Sequence, residues 1–212
     1  MRIIVSFCGS PTYQLSKYLT TVLKPLTAES RHKQSTESFI DAITTAQKPD
    51  DYKLVSFDMK SLFPSVSLQL PLDCSETTIN NYTIELPLPT DNLMDLLNLC
   101  LASTYFQYND KHYKQLHGTA MGSPVPVVVA EIVMQKIEER ALATYKRTLA
   151  PWLRYVDDTF TAVNKDEIND FHENLNRQNA DIQFTKEIEE NGKIPFLDCL
   201  VTRDNNKLRT TI

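Results

Sequence analysis

Apolar positions recur along this chain with two periods, and the switches between them mark its elements. Residues 2–8 are β-branched and weakly alternating, which predicts a short strand. Leu15, Tyr18, Leu19, Val22 and Leu23 fall on one helical face. Phe39, Ile40 and Ile43 repeat that spacing after Ser35 and Thr36, residues suited to capping a helix. Lys53–Phe57 reads as a buried strand running into Asp58. Residues 69–90 hold three prolines and many turn formers, and their structure is the least clear of the chain. Thr90 and Asp91 are placed to cap a helix carrying Leu93, Leu96, Leu97, Cys100 and Leu101.

Further along, the period shortens to that of hairpins. YFQY and HYKQL flank Asn109-Asp110, a turn pair. Pro124 opens an apolar stretch that predicts a long helix over about Val127–Leu149. WLRYV and TFTAV flank Asp157-Asp158 almost symmetrically, a hairpin pattern. Asp166 begins a helix with Ile168, Phe171 and Leu175 on one face. IQFTKEIE and KIPFLDCLV flank Asn191-Gly192, a second hairpin turn. Strands joined by hairpins and interspersed with helices predict an α+β fold, an antiparallel sheet with helices packed on one face.

The 212 residues suffice for one compact domain, and 42% hydrophobic with 23% charged residues fits a globular protein. A net charge of −5 weighs against an extended phosphate-binding surface, although a carboxylate metal site adds negative charge of its own. Cys8, Cys74, Cys100 and Cys199 form no CxxC pair, which argues against zinc and for reduced thiols in an intracellular setting. The opening residues lack the apolar length of a secretion signal, and no run approaches a membrane span.

The candidate chemistry lies in three carboxylates. Asp58 ends the apolar strand LVSFD, and Asp157 and Asp158 sit at the tip of an apolar hairpin, YVDD. An isolated Asp-Asp pair is often just a polar turn, and a lone Asp often just ends a strand. Side-by-side pairing of these strands, about 4.8 Å apart, would bring the carboxylates within bridging reach of two hard cations. Such a pair suits nucleotidyl transfer: one ion activates the attacking hydroxyl and the other steadies the leaving pyrophosphate.

Here the motifs resemble a known family. Tyr155-Val156-Asp157-Asp158 is similar to the YxDD motif of reverse transcriptases, and Ser56–Phe63 to the motif holding their first catalytic Asp. Gly118-Thr119-Ala120-Met121-Gly122-Ser123-Pro124 resembles the G-x-A-M-G-S-P motif of the Penelope-like retroelements. Arg2–Leu19 and Ile182–Val201 resemble that family's flanking segments, in the same order. The resemblance implies a reverse transcriptase domain over residues 1–212, with 1–50 a remnant of the fingers and 51–212 an antiparallel-sheet polymerase palm. It implies an RNA-directed DNA polymerase using Mg²⁺ or Mn²⁺, with an RNA template, a DNA primer and deoxynucleoside triphosphates as partners. Asp58, Asp157 and Asp158 would be the catalytic metal ligands. Arg2 would touch the triphosphate, Phe63 would disfavour a ribose 2′-OH, and Gly122 and Ser123 would line the nucleotide pocket. Lys186 is the candidate proton donor. The site of action would be nuclear.

The sequence departs from the family pattern at Val125-Pro126, where a second Ser-Pro is lost, and at Ile3, where the family carries proline. Fingers upstream of Arg2, a thumb and an endonuclease domain are missing from the span, so the alternative expectation is a catalytically inactive relic or fragment that folds without polymerising. Loss of the fingers partners also predicts a poorly supported Met1–Ser10.

Overall fold

The fold was described from a computed structural model, which describes residues 7–27, 36–45, 51–60, 67–83, 85–116, 118–120, 122–145, 152–204 and 207–211. The chain divides into two compact units, residues 1–30 with 61–137 and residues 31–60 with 138–212.

In the first unit, Phe7 is buried and Ser10 donates its N–H to the Phe7 carbonyl (3.1 Å), closing a turn through Cys8 and Gly9. Gly9 has φ 81°, a backbone that needs no Cβ. The strand expected over residues 2–8 therefore does not include Phe7 or Cys8, and its remainder, with Ile3, Ile4 and Val5, lies outside the described residues. Helix α1, Tyr13–Leu23, follows and buries Ser16, Leu19 and Leu23, while Tyr18 is exposed. A single 3₁₀ turn, Lys24–Thr27, ends it.

Residues 69–90, the stretch least clear from sequence, begin with a 13-residue helix, Gln69–Asn81. Pro71 is compatible with it because the third helical position lies in the first turn, where the backbone N–H has no intrahelical acceptor to lose. Thr77 and Thr78 return their hydroxyls to the Asp73 and Cys74 carbonyls (both 2.8 Å), so polar residues that suggest a turn are satisfied within the helix. The next helix, Thr90–Ala102, buries Leu93, Leu97, Cys100 and Leu101 as expected, but Pro89 occupies the capping position and no side chain caps it. Strands Tyr105–Tyr108 and Lys111–Lys114 form a hairpin. Helix Pro124–Thr144 starts at the proline itself and is shorter than expected at its far end.

The second unit holds a helix, Thr36–Thr45, and a four-stranded antiparallel sheet. In chain order we label the helices α2 (Thr36–Thr45), α3 (Gln69–Asn81), α4 (Thr90–Ala102), α5 (Pro124–Thr144) and α6 (Ile168–Asn176). The strands are β1 (Tyr52–Met59), β2 (Tyr105–Tyr108), β3 (Lys111–Lys114), β4 (Leu153–Tyr155), β5 (Asp158–Asn164), β6 (Phe184–Ile188), β7 (Lys193–Phe196), β8 (Cys199–Asp204) and β9 (Lys207–Thr211). The main sheet runs β4-β5-β1-β6, and a smaller one runs β7-β8-β9.

Strand β1 alternates between two buried faces. Phe57 packs on α6, with ring centroids 5.5 Å from Phe171 and 5.9 Å from Trp152. Leu54 faces the other way, into a cluster with Phe39, Ile43, Phe160, Ile194, Phe196, Val201 and Leu208. Phe39 meets Phe160 edge-on at 5.3 Å and Phe196 at 4.7 Å. Helices thus lie on both faces of the sheet, not one, because both side-chain sets of β1 are apolar and each needs cover. Asn191-Gly192 makes the expected tight turn, both residues at positive φ (51° and 72°). Beyond a single Glu190–Lys193 bridge, however, the chain changes sheets there: β6 pairs with β1 and β7 with β8. KIPFLDCLV is two strands folded back at Leu197-Asp198. Among the described residues none of the four cysteines forms a disulfide, and no helix is long and apolar enough to cross a membrane.

Candidate functional site

The register of β1 against β5 sets the geometry. Leu54 lies opposite Ala162, Ser56 opposite Phe160, and Asp58 opposite Asp158. Directly opposed residues of an antiparallel pair point to the same face, so two carboxylates are held side by side at the end of the apolar ladder. Strand β4 pairs Tyr155 with Asp158, which makes Val156-Asp157 the two-residue loop. The turn is therefore one residue earlier than the symmetric reading of Asp157-Asp158. Asp157 is the loop residue, and Asp158 begins the strand.

Like charges this close resist ionisation. Burial pushes Asp158 up to about 6, with Asp157 and then Asp58 adding to the rise. Burial and the neighbouring Asp157 also raise Asp58, partly offset by a hydrogen bond from the Met59 backbone. All three carboxylates thus act on one another. Among the described residues no group of three or more His, Cys, Asp or Glu side chains converges as a ready-made ion site. The donor set consists of carboxylate oxygens alone, the chemistry that Mg²⁺ and Mn²⁺ favour, and the mutual repulsion is what a cation would relieve.

Beneath the loop lies a buried ionic cluster that the sequence did not disclose. Arg154 is fully buried, and its Nε donates to Glu138 Oε1 at 2.8 Å. Trp152 Nε1 donates to the same oxygen at 2.8 Å. Arg154 Nη1 donates to the Val156 carbonyl at 2.9 Å. Val156 has φ 56°, a backbone that β-branched residues rarely adopt. A guanidinium inside the sheet thus grips the strained residue next to Asp157. The available signal was an arginine at a β4 position where the apolar pattern calls for an inward-facing side chain.

The other candidates fall elsewhere. Lys186 lies opposite Phe57 and not opposite Asp58, so it points to the α6 face, where its ammonium donates to Asn169. Thr185 takes the place opposite Asp58, and its hydroxyl donates to the Asp58 carbonyl (3.1 Å). In the first unit, Ser123 is buried with its Oγ 2.8 Å from Ser16 Oγ, and Ser16 Oγ also accepts the Val125 N–H at 3.0 Å. That pairing supplies the start of α5 with a capping oxygen from α1, a role for Ser16 that its place in the LSK run did not announce. Gly122 is half-buried beside it. Arg2 and Phe63 lie outside the described residues.

No protein-family model matches this sequence, and no curated protein does. Solved structures do match in fold. Telomerase from Candida albicans, in complex with a fragment of telomeric RNA, superposes with a TM-score of 0.69 at 13% identity, covering 92% of this chain and 38% of that one. Apo telomerase from Candida tropicalis gives 0.69 at 11% identity, over 95% and 40%. The RNA-dependent RNA polymerase of a human picorbirnavirus gives 0.60 at 15% identity, over 92% and 37%. This chain spans about two fifths of each. Its mixed helical and antiparallel-sheet fold is similar to one that telomerase shares with viral RNA-dependent RNA polymerases.

Proposed function

We propose that the chain is the nucleotidyl-transfer core of a reverse transcriptase of the Penelope-like type, acting on a primer 3′-OH with RNA as template. The observation that carries this reading is the strand register that sets Asp58 opposite Asp158 with Asp157 in the adjoining loop. Asp58 and Asp157 would hold the divalent cations, with Asp158 in the same site. Bound there, the cations would lower the pKa of the primer hydroxyl and neutralise charge on the pyrophosphate. The protein's part is to fix the three carboxylates on a sheet end and to hold the loop with Arg154. Arg2 on the triphosphate, Phe63 against the 2′-OH, Gly122 and Ser123 beside the nucleotide, and a nuclear site of action belong to the same reading. Lys186, turned toward Asn169, would need a different rotamer and a route around the sheet end to serve as a proton donor.

One observation favours a second reading, a folded chain that does not polymerise: 22 Lys and Arg face 27 Asp and Glu, a poor balance for gripping a duplex. The test separates the two. Mn²⁺ binding to the 212-residue chain, measured by calorimetry, should disappear in Asp58→Asn and in Asp157→Asn, while circular dichroism stays unchanged. Templated extension of a DNA primer on RNA, if present in the parent, should vanish with it. Binding without extension supports the second reading, and Mn²⁺ binding that survives both substitutions overturns the site.

A further inference from the structure

The hairpin β2–β3 exposes more aromatic surface than its own stability requires. Tyr105 is 60% exposed, Tyr108 65% and Tyr113 42%, and Leu116 just beyond is 79% exposed. Scattered surface aromatics are ordinary, but Tyr108 and Tyr113 share one face of the hairpin with Phe106 and make a patch. The charged residues on the hairpin's two strands have one sign. Pairing sets Tyr105 opposite Lys114, Gln107 opposite His112 and Tyr108 opposite Lys111. The two faces are then Tyr105, Gln107, His112 and Lys114 on one side, and Phe106, Tyr108, Lys111 and Tyr113 on the other. Both faces carry rings and a lysine, and the acidic member of the hairpin is Asp110, in the turn. In a chain with net charge −5, this is a local reversal.

The hairpin is also rigid. Asn109 and Asp110 both have positive φ (50° and 57°), the two-residue turn whose twist matches that of the strands. Phe106 stacks on Tyr113 at 5.4 Å, and the Lys114 ammonium lies 5.4 Å from the Tyr105 ring centre. At the base, the Gln115 N–H donates to the Thr104 carbonyl (2.9 Å) and the Thr104 hydroxyl donates to the Gln115 carbonyl (2.8 Å). The rings are therefore displayed on a fixed frame, and little conformational freedom remains to be lost on binding.

We infer that the face of the β2–β3 hairpin formed by Phe106, Tyr108, Lys111 and Tyr113 is a stacking platform for single-stranded nucleic acid, with Tyr108 and Tyr113 under unpaired bases and Lys111 on a neighbouring phosphate. Rings beside a lysine fit a strand whose bases are free to unstack, and fit a paired duplex poorly because its base faces are already covered. The inference rests on the polymerase reading and deepens it by assigning a strand-holding surface.

The experiment is fluorescence anisotropy with the 212-residue chain and a labelled oligopyrimidine of about a dozen nucleotides, single-stranded and as a blunt duplex. The single strand should bind more tightly than the duplex. Tyr108→Ala and Tyr113→Ala should each weaken it about tenfold, within the range expected for one stacked base. Tyr108→Phe, which keeps the ring, should bind like the parent. Lys111→Gln should flatten the salt dependence by roughly 0.7 in logarithmic slope, the value of one phosphate contact. No single-strand binding, or binding that both tyrosine variants leave unchanged, overturns the inference. So does light scattering that finds a dimer broken by Tyr108→Ala with strand binding untouched, since the patch then joins two copies. Asp58→Asn keeps the two readings apart: Mn²⁺ binding lost with strand binding intact upholds both, whereas Mn²⁺ binding retained fails the metal site alone.

Discussion

Asp158 is a carboxylate that the native fold holds at a cost. Its pKa stands at about 6 against an ordinary 3.8, so the folded chain binds a proton more readily than the unfolded chain between those values. Linkage then fixes the sign: stability falls as pH rises from about 4 to about 6, and stays lowered above that. Asp158→Asn removes the penalty. It should be more stable than the parent at pH 8 by about 1 kcal/mol or less, the scale of opposed like charges on paired strands. That is roughly 2–4 °C in Tm, with the gain gone near pH 4. Thermal melts of both proteins across pH would check this, and equal Tm values at pH 8 would remove the electrostatic argument. Ser16 is the opposite case, a small polar residue that stabilises from within. Ser16→Ala strips a buried acceptor from the Val125 N–H and a partner from Ser123, and should cost about 1–3 kcal/mol in urea unfolding. A loss below a few tenths would mean that water replaces the hydroxyl there.

The hairpin β4–β5 shows what the sequence could and could not disclose about an element. Its existence was legible because apolar residues flank the acidic pair on both sides. Its register was not, because LRYVDDTFTAV reads equally well with the turn at either pair of central residues. What decides is Arg154, whose bonds to Glu138 and to the Val156 carbonyl place Val156 in the loop. Such a choice depends on a residue of α5 distant in sequence, which no local pattern contains. Helix α3 was unclear for a different reason: its polar residues satisfy their hydroxyls inside the helix, so composition mimics a turn. The prediction at this scale concerns Arg154→Met. It leaves the Glu138 carboxylate without this cation inside the fold and should destabilise by about 3–5 kcal/mol, whereas Arg154→Met combined with Glu138→Gln should recover part of that loss. Chemical denaturation of the single and double variants measures the coupling. Strict additivity would show that the ion pair is not a unit.

For the whole molecule the relevant quantity is charge. An acidic chain with one small basic hairpin should hold a primer–template duplex weakly and with a shallow dependence on salt. We expect a logarithmic slope nearer −2 than −6, where each phosphate contact to duplex contributes about −0.9. Titrations at about 50 and 200 mM salt would measure it, and a steep slope would reveal a basic surface beyond the described residues. The fold class was legible at this scale from the rhythm of hairpins and helices, whereas the second layer over the sheet was not. That layer depends on KIPFLDCLV folding back on itself, and an unbroken apolar run does not advertise its own bend. The sheet order carries one more consequence, for the time course of folding. Strand β1 lies at the centre of its sheet, yet its partners are β5 and β6, supplied only after residue 157. On a ribosome the first catalytic candidate would be made well before its partners and would wait, an unpaired apolar strand, until β5 and β6 had followed. Long-range pairing of this kind is slow and leaves strand edges open to other chains. Nascent chains stalled before Asp158 should therefore depend on chaperones and aggregate when released, whereas those stalled after Ile188 should not.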